Sequence, residues 1–149
     1  MKTFTRIIVF FIATLASARG LLATDLAIGT WTSKNYPGMT MIIEPRVAGG
    51  WKITYHIKYG DKESLMVIDS ALDGAEVPVM VNGKASGETM AIKKLDYHHT
   101  STVVKMNGAP FGTSNSELSA DGKTITVQND TVALAGNPSK KATETWDRK

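Results

Sequence analysis

The sequence contains no cysteine. Disulfide bonds, thiolate metal sites, a cysteine nucleophile and a lipid anchor on an N-terminal cysteine are therefore excluded. A protein without disulfides is held together by its core and by its backbone hydrogen bonds alone. Among exported proteins, this absence is more typical of a bacterial envelope or medium than of a eukaryotic extracellular domain of this size, 149 residues.

The sequence also lacks a strong excess of charge. It has 17 basic and 14 acidic residues, and its longest basic clusters are only pairs, such as Lys93-Lys94 and Lys140-Lys141. Binding to a phosphate backbone uses clustered Lys and Arg side chains. We therefore expect no nucleic-acid partner.

The one long apolar run lies at the N-terminus and is typical of a signal peptide. Met1–Arg6 is positively charged, Ile7–Leu15 is almost wholly apolar, and Ala16-Ser17-Ala18 has the small residues that signal peptidase cuts after. The run is shorter than the roughly 20 apolar residues that span a bilayer as a helix. We predict a signal peptide over residues 1–23, cut after Ala18 or Ala23, and a mature protein that is periplasmic or secreted and has no transmembrane segment.

After residue 24 the pattern is one of short strands separated by turns, without lasting helical periodicity. Asn82-Gly83, Asn107-Gly108 and Asp121-Gly122 are strong hairpin signals because both residues of each pair accept positive φ. About ten such strands predict one all-β domain over residues 24–149. The expected fold is an antiparallel up-and-down β-barrel of about 8–10 strands, and a two-sheet β-sandwich is the alternative.

The strictest alternation lies between residues 51 and 59. Apolar or aromatic side chains occupy every second position, namely Trp51, Ile53, Tyr55, Ile57 and Tyr59. This period of two indicates a strand with one buried and one wet face. A meander of such strands leaves no exposed edge when it closes into a barrel.

Inward-facing apolar residues of such a barrel are candidates for a ligand pocket. Eight strands enclose an interior that is just filled by side chains or holds one small ligand, and ten strands leave more room. Methionine suits pockets for varied apolar guests. The alternative is that these side chains fill the core and leave no cavity. The candidate lining residues are Trp51, Ile53, Tyr55, Met66, Met90 and Trp146.

Several short motifs resemble the bacterial exported lipocalin-like proteins, which belong to the broader calycin type of β-barrel. The resemblance covers nearly all of the chain after the signal peptide, and it implies a barrel with a ligand pocket. The motifs are Gly29-Thr30-Trp31 in the first strand, Met39–Pro45, Gly49–Tyr55, Ser119–Val127 and the C-terminal Thr145–Lys149.

The same resemblance implies how the barrel closes. Trp31 of the first strand is expected to plug one end, and Arg148 after the last strand is expected to pack over its ring. A guanidinium over an indole face contributes about 0.5–2 kcal/mol, depending on burial. The alternative is that Arg148 is a solvated C-terminal residue.

The sequence departs from the relatives that bind fatty acids. Those proteins carry two short helices between their first two strands, whereas Asn35–Gly38 leaves room only for a turn. The Arg-x-Tyr motif that holds a fatty carboxylate is absent from Thr145–Arg148. Fatty-acid binding is therefore not expected.

Catalytic and metal-binding signals are weak. Gly112–Ser116 lacks the second glycine of a nucleophile elbow. Asp96 and His98 are too few ligands for zinc, and we expect solvated turn histidines, no metal and no cofactor. Glu88 is interpreted as a surface charge. Glu144 shares a face with Trp146, and it is either a buried carboxylate that needs a partner or, as we favour, a solvated one.

The sequence predicts a non-enzymatic exported protein that holds a small apolar or amphipathic molecule inside its barrel. One alternative is an envelope interaction protein with a filled barrel, whose candidate external contact is the uncharged segment Val77–Val81. Another is a small hydrolase or isomerase that uses Glu88, Asp96 and His99 at the barrel mouth.

Overall fold

A computed structural model describes residues 25–133 and 138–149, so the predicted signal peptide lies outside the described residues. Both described ranges are all-β, and neither contains a helix that is long and apolar enough to cross a bilayer. The strands are β1 (Gly29–Ser33), β2 (Thr40–Pro45), β3 (Trp51–Tyr59), β4 (Lys62–Ser70), β5 (Asp73–Val81), β6 (Lys84–Lys94), β7 (His99–Met106), β8 (Ala109–Leu118), β9 (Thr124–Thr131) and β10 (Lys140–Arg148).

The ten strands form one closed antiparallel barrel in which each strand pairs with its neighbour in sequence. The first and last strands complete the ring, with Trp31 opposite Arg148 and Ser33 opposite Trp146. The predicted up-and-down barrel is confirmed with ten strands. The sandwich alternative is excluded because β10 is hydrogen-bonded to β1 and no edge remains.

Two hairpins follow directly from their turn residues. Asn82 and Gly83 have φ of 48° and 78°, and Asn107 and Gly108 have φ of 50° and 79°. Positive φ at both central positions gives a turn whose twist matches that of the strands it joins. These turns connect β5 to β6 and β7 to β8.

The N-terminal segment from residue 25 to residue 28 lies across one end of the barrel, which we call the plugged end. Ala27 is buried, and its carbonyl accepts a hydrogen bond from Trp31 Nε1 at 3.0 Å. Since strands alternate in direction, the β1–β2, β3–β4, β5–β6 and β7–β8 connections lie at the opposite end, which we call the far end, as do the last residue of β9 and the first of β10.

The core follows the inward face of the strands, as the alternation predicts. Trp31, Trp146 and Ile68 are almost wholly buried. The prediction is wrong for Tyr59, which is 74% exposed. Tyr59 is the last residue of β3 at the far rim, so no neighbouring layer covers its ring.

Candidate functional site

The barrel surrounds a cavity of about 450 Å³. This volume lies within the range of small-molecule sites, roughly 300–1,000 Å³. The alternation of each strand turns one side chain in two toward it. All six candidate lining residues contribute to its wall, namely Trp51, Ile53, Tyr55, Met66, Met90 and Trp146.

One side of the cavity is apolar and aromatic. The rings of Tyr55 and Trp146 meet edge to face, with their centres 5.6 Å apart and an angle of 61° between them. Aromatic pairs favour this geometry because the positive edge of one ring faces the negative face of the other. Methionine side chains, including Met41 and Met66, continue the surface beside them.

The opposite side of the cavity carries small polar side chains that the sequence analysis missed. Thr100 and Thr102 of β7 face Ser114 and Ser116 of β8, and the Thr100 and Ser116 hydroxyls are hydrogen-bonded. The side chains on both faces of β8 are polar, so hydrophobic alternation could not show which of its residues point inward. The cavity therefore has a polar wall opposite an apolar one.

Two carboxylates also line the cavity, which corrects the solvated interpretation of both. Glu144 of β10 is half-buried, and it accepts a hydrogen bond from Asn129 Nδ2 at 3.0 Å. Burial raises the pKa of Glu144, although the side chains of Asn129 and Trp146 act in the opposite direction. Burial likewise raises the pKa of Glu88 on β6. Both residues point inward because each shares a face with a lining residue two positions away.

Tyr55 lies within the electrostatic reach of both carboxylates. Burial raises the pKa of Tyr55 well above its ordinary value, and the negative charges of Glu144 and Glu88 raise it further. Among the described residues, the Tyr55 hydroxyl has no hydrogen-bond partner. The cavity thus brings together a neutral phenol, two carboxylates and an indole.

The plugged end is closed by Arg148. Its guanidinium carbon lies 4.3 Å from the centre of the Trp31 ring. Its Nε donates to the Gly122 carbonyl at 2.7 Å, its Nη1 to the Ile28 carbonyl at 3.0 Å, and its Nη2 to the Leu26 carbonyl. One side chain therefore joins β10, the β8–β9 turn and the N-terminal segment.

A second tie at this end was not found by the sequence analysis. Asp25 Oδ2 accepts hydrogen bonds from Trp51 Nε1 at 2.9 Å and from Lys94 Nζ at 2.5 Å. Burial alone raises the pKa of Asp25, but the hydrogen bonds from Lys94, Ala27 and Trp51 outweigh it and lower the pKa. Although Lys94 contributes to the cavity wall, its charge is already paired.

The two adjacent histidines, His98 and His99, differ in their surroundings. His98 is half-buried with Nδ1 2.9 Å from the Leu118 carbonyl oxygen, so the solvated interpretation is wrong for it. His99 is exposed, and its Nδ1 lies 2.8 Å from Asp96 Oδ2. No group of three potential metal ligands occurs in the part of the chain that the structure describes.

Within the segment Val77–Val81, Val79 is 0% exposed, because the alternation of β5 turns its side chain into the core. The expectation of an external contact is therefore wrong for Val79. Pro78, on the other face of β5, is exposed.

Comparisons of the chain with protein-family models, with curated proteins and with solved structures gave no match. The function of this protein is therefore inferred from the geometry of the site.

Proposed function

We propose that this protein binds a small apolar or amphipathic molecule inside its barrel. The observation that carries the proposal is the cavity of about 450 Å³ lined by the apolar side chains of Ile53, Met66 and Met90 and by aromatic rings. A pocket that is mainly apolar, with a few polar groups on one wall, is the usual form of a small-molecule site.

The affinity would come mainly from burial of the ligand's apolar surface. Each 100 Å² of apolar surface removed from water contributes about 2.5 kcal/mol before the costs of ordering. The strand scaffold reduces those costs, since the wall is held by ladder hydrogen bonds on every side and the plugged end by Arg148 and Asp25. The polar wall would orient the guest.

A neutral environment-sensitive dye, N-phenyl-1-naphthylamine, tests the proposal. We expect saturable fluorescence enhancement with one site per barrel. Ala142 lines the cavity, so Ala142→Phe should occupy ligand space and weaken dye binding by about 10-fold or more, equivalent to about 1.4 kcal/mol. Ala91→Phe is the matched control, because Ala91 lies between two inward-facing residues of β6 and points outward.

Two results would contradict binding in the cavity. If wild-type protein with a folded near-ultraviolet dichroism spectrum gives no saturable signal, or if the two phenylalanine variants weaken binding equally, the barrel does not hold the dye in its cavity. The alternative role, an envelope interaction protein with a filled barrel, would then be the better explanation.

We further propose that the protein is exported and is a lipocalin-like calycin barrel. The signal-peptide pattern over residues 1–23 and the motifs from Gly29 to Trp31 and from Thr145 to Lys149 support this. The intact mass of protein recovered from the periplasm of an expressing bacterium distinguishes cleavage after Ala18, cleavage after Ala23 and no cleavage.

A further inference from the structure

Two acidic side chains on the cavity wall have no cationic partner among the described residues. Glu88 and Glu144 line the cavity, and every ion pair within the described ranges involves other acidic residues. A half-buried carboxylate is costly unless it is paired or well hydrogen-bonded. Glu144 accepts a hydrogen bond from Asn129, and the Trp146 side chain also lowers its pKa by hydrogen bonding, but neither group is a cation.

The other charged or titratable residues on the wall do not supply the missing cation. Lys94 is bonded to Asp25 at the plugged end, and Asp96 faces His99. Besides Tyr55, the remaining ones are Tyr97, whose ring centre lies 5.6 Å from Lys94 Nζ, His98, bonded to the Leu118 carbonyl, and Lys140, which is exposed at the far end. Lys140 lies four residues from Glu144 along β10, about 13 Å in an extended strand.

Aromatic rings lie beside these carboxylates. Tyr55 is close enough to both for their charges to raise its pKa, and its ring packs edge to face against Trp146. An ammonium placed among these groups gains charge-assisted hydrogen bonds from the carboxylates and cation–π attraction from a ring. The free Tyr55 hydroxyl offers a further acceptor oxygen.

We propose that the cavity selects amphipathic ammonium ligands, which combine an apolar body with one protonated amine, over neutral or anionic molecules of the same length. The inference rests on the proposed function and names the ligand class. The apolar body would lie against Ile53, Met66 and Met90, and the ammonium would lie between Glu88 and Glu144. An anionic guest would meet two like charges in a poorly solvated space.

Three probes with one tail and different heads test the selection: decylammonium, 1-decanol and decanoate. Isothermal titration calorimetry of wild-type protein should show that decylammonium binds at least about 10-fold more tightly than 1-decanol and that decanoate binds most weakly. The double variant Glu88→Gln/Glu144→Gln should lose that 10-fold preference and keep its affinity for 1-decanol within about twofold. Glutamine preserves side-chain shape and can still accept the Asn129 hydrogen bond.

Glu76→Gln is the matched control. Glu76 is exposed outside the barrel, where it contacts Lys105 and Thr89, so its loss should leave all three affinities unchanged. The preference should also shrink when the pH falls from about 8 to about 4, because the wall carboxylates become protonated while decylammonium stays charged.

The outcomes separate the two proposals. If 1-decanol binds but decylammonium has no advantage, or if decanoate binds as tightly, the ammonium selection is wrong and the binding function stands. If the double variant binds decylammonium and 1-decanol more weakly by the same factor, the carboxylates only shape the cavity and the ammonium selection is again wrong. If none of the three probes binds folded protein, the ammonium selection is wrong, and the binding function is wrong as well when N-phenyl-1-naphthylamine also fails to bind.

Discussion

At the residue scale, a steric constraint explains why the first residue of the Gly29-Thr30-Trp31 motif is a glycine. Gly29 has a φ of 146°, and a Cβ added there would lie 2.5 Å from Arg148 Nη1. The same Nη1 donates to the Ile28 carbonyl while the guanidinium covers Trp31. A side chain at position 29 would therefore push Arg148 off the indole that it covers.

We expect Gly29→Ala to lower the free energy of unfolding by about 2–3 kcal/mol, through backbone strain and displacement of Arg148. Urea denaturation measures the loss. Gly108→Ala is the control for backbone strain alone, since Gly108 also has positive φ but no neighbour within 4 Å of an added Cβ. That variant should cost about 1 kcal/mol.

A double-mutant cycle identifies the cause of the Gly29→Ala loss. In an Arg148→Ala background, the cost of Gly29→Ala should fall toward that of the Gly108→Ala control, because the colliding guanidinium is gone. An undiminished cost in that background would mean that Arg148 is not the reason for the glycine.

Predictions about single residues succeeded where they depended only on the alternation of side chains along one strand. The six candidate lining residues follow from alternation, and the structure places them all on the cavity wall. Asp25 was missed because its partners Trp51 and Lys94 lie 26 and 69 residues away. Glu144 was misassigned because its environment depends on the register of β10, which depends on pairing with β9 and β1.

At the scale of elements, the segment from residue 25 to residue 28 behaves as a plug for the barrel. Its Asp25 carboxylate bonds to side chains of β3 and β6, and its carbonyl groups accept from Trp31 and Arg148. Residues 25–28 are thereby linked to four strands, although they have no regular structure of their own.

The plug should make stability depend on pH through Asp25. The pKa of Asp25 is lowered in the folded protein, so its contribution is present above the unfolded value near 3.9 and is lost as the pH falls through the folded value. We expect Asp25→Asn to be less stable than wild type at about pH 7. The difference should narrow below about pH 4, and urea denaturation across this range measures it.

Asp121→Asn provides the comparison for this pH profile. Hydrogen bonds from Ser119 and Lys123 lower the pKa of Asp121 too, but this residue is exposed and its side chain is bonded only within its own turn. Its substitution should have the smaller effect at neutral pH, because solvent weakens exposed charge interactions. Equal effects of the two substitutions would mean that Asp25 does not hold the plug.

The alternation between residues 51 and 59 predicted the bounds of β3, whereas no alternation marked the start of β5 at Asp73 or of β6 at Lys84. The polar residues before Glu88 remain in the ladder because a register shift lies between Pro78 and Met80. Ser86 Oγ donates to the Val79 carbonyl at 2.9 Å there. Hydrophobic alternation cannot reveal paired residues that are polar on both faces.

At the scale of the whole molecule, ten strands close around more space than their side chains fill. One side of the wall obeys the rule of apolar residues inside, the other carries hydroxyl groups, and Glu88 and Glu144 bring charge into the interior. Groups that cost stability in the free protein and gain an interaction with a ligand are common at binding sites. The closed topology was predictable from alternation and hairpin turns, whereas the cavity depends on the sum of all inward side chains.

This view predicts that Glu144→Gln stabilises the free protein by up to about 1 kcal/mol at pH 7, an effect limited by its partial exposure. The pKa of Glu144 is raised in the folded state, so its ionisation penalty is absent below the unfolded value near 4.3 and grows as the pH rises through the folded value. The advantage of the variant over wild type, measured by urea denaturation, should therefore increase from about pH 4 to pH 8. Glu44→Gln, an exposed change on β2, should show no such trend. An advantage that is absent or independent of pH would mean that the Glu144 charge is already compensated inside the barrel, and the reason to expect an ammonium guest there would weaken with it.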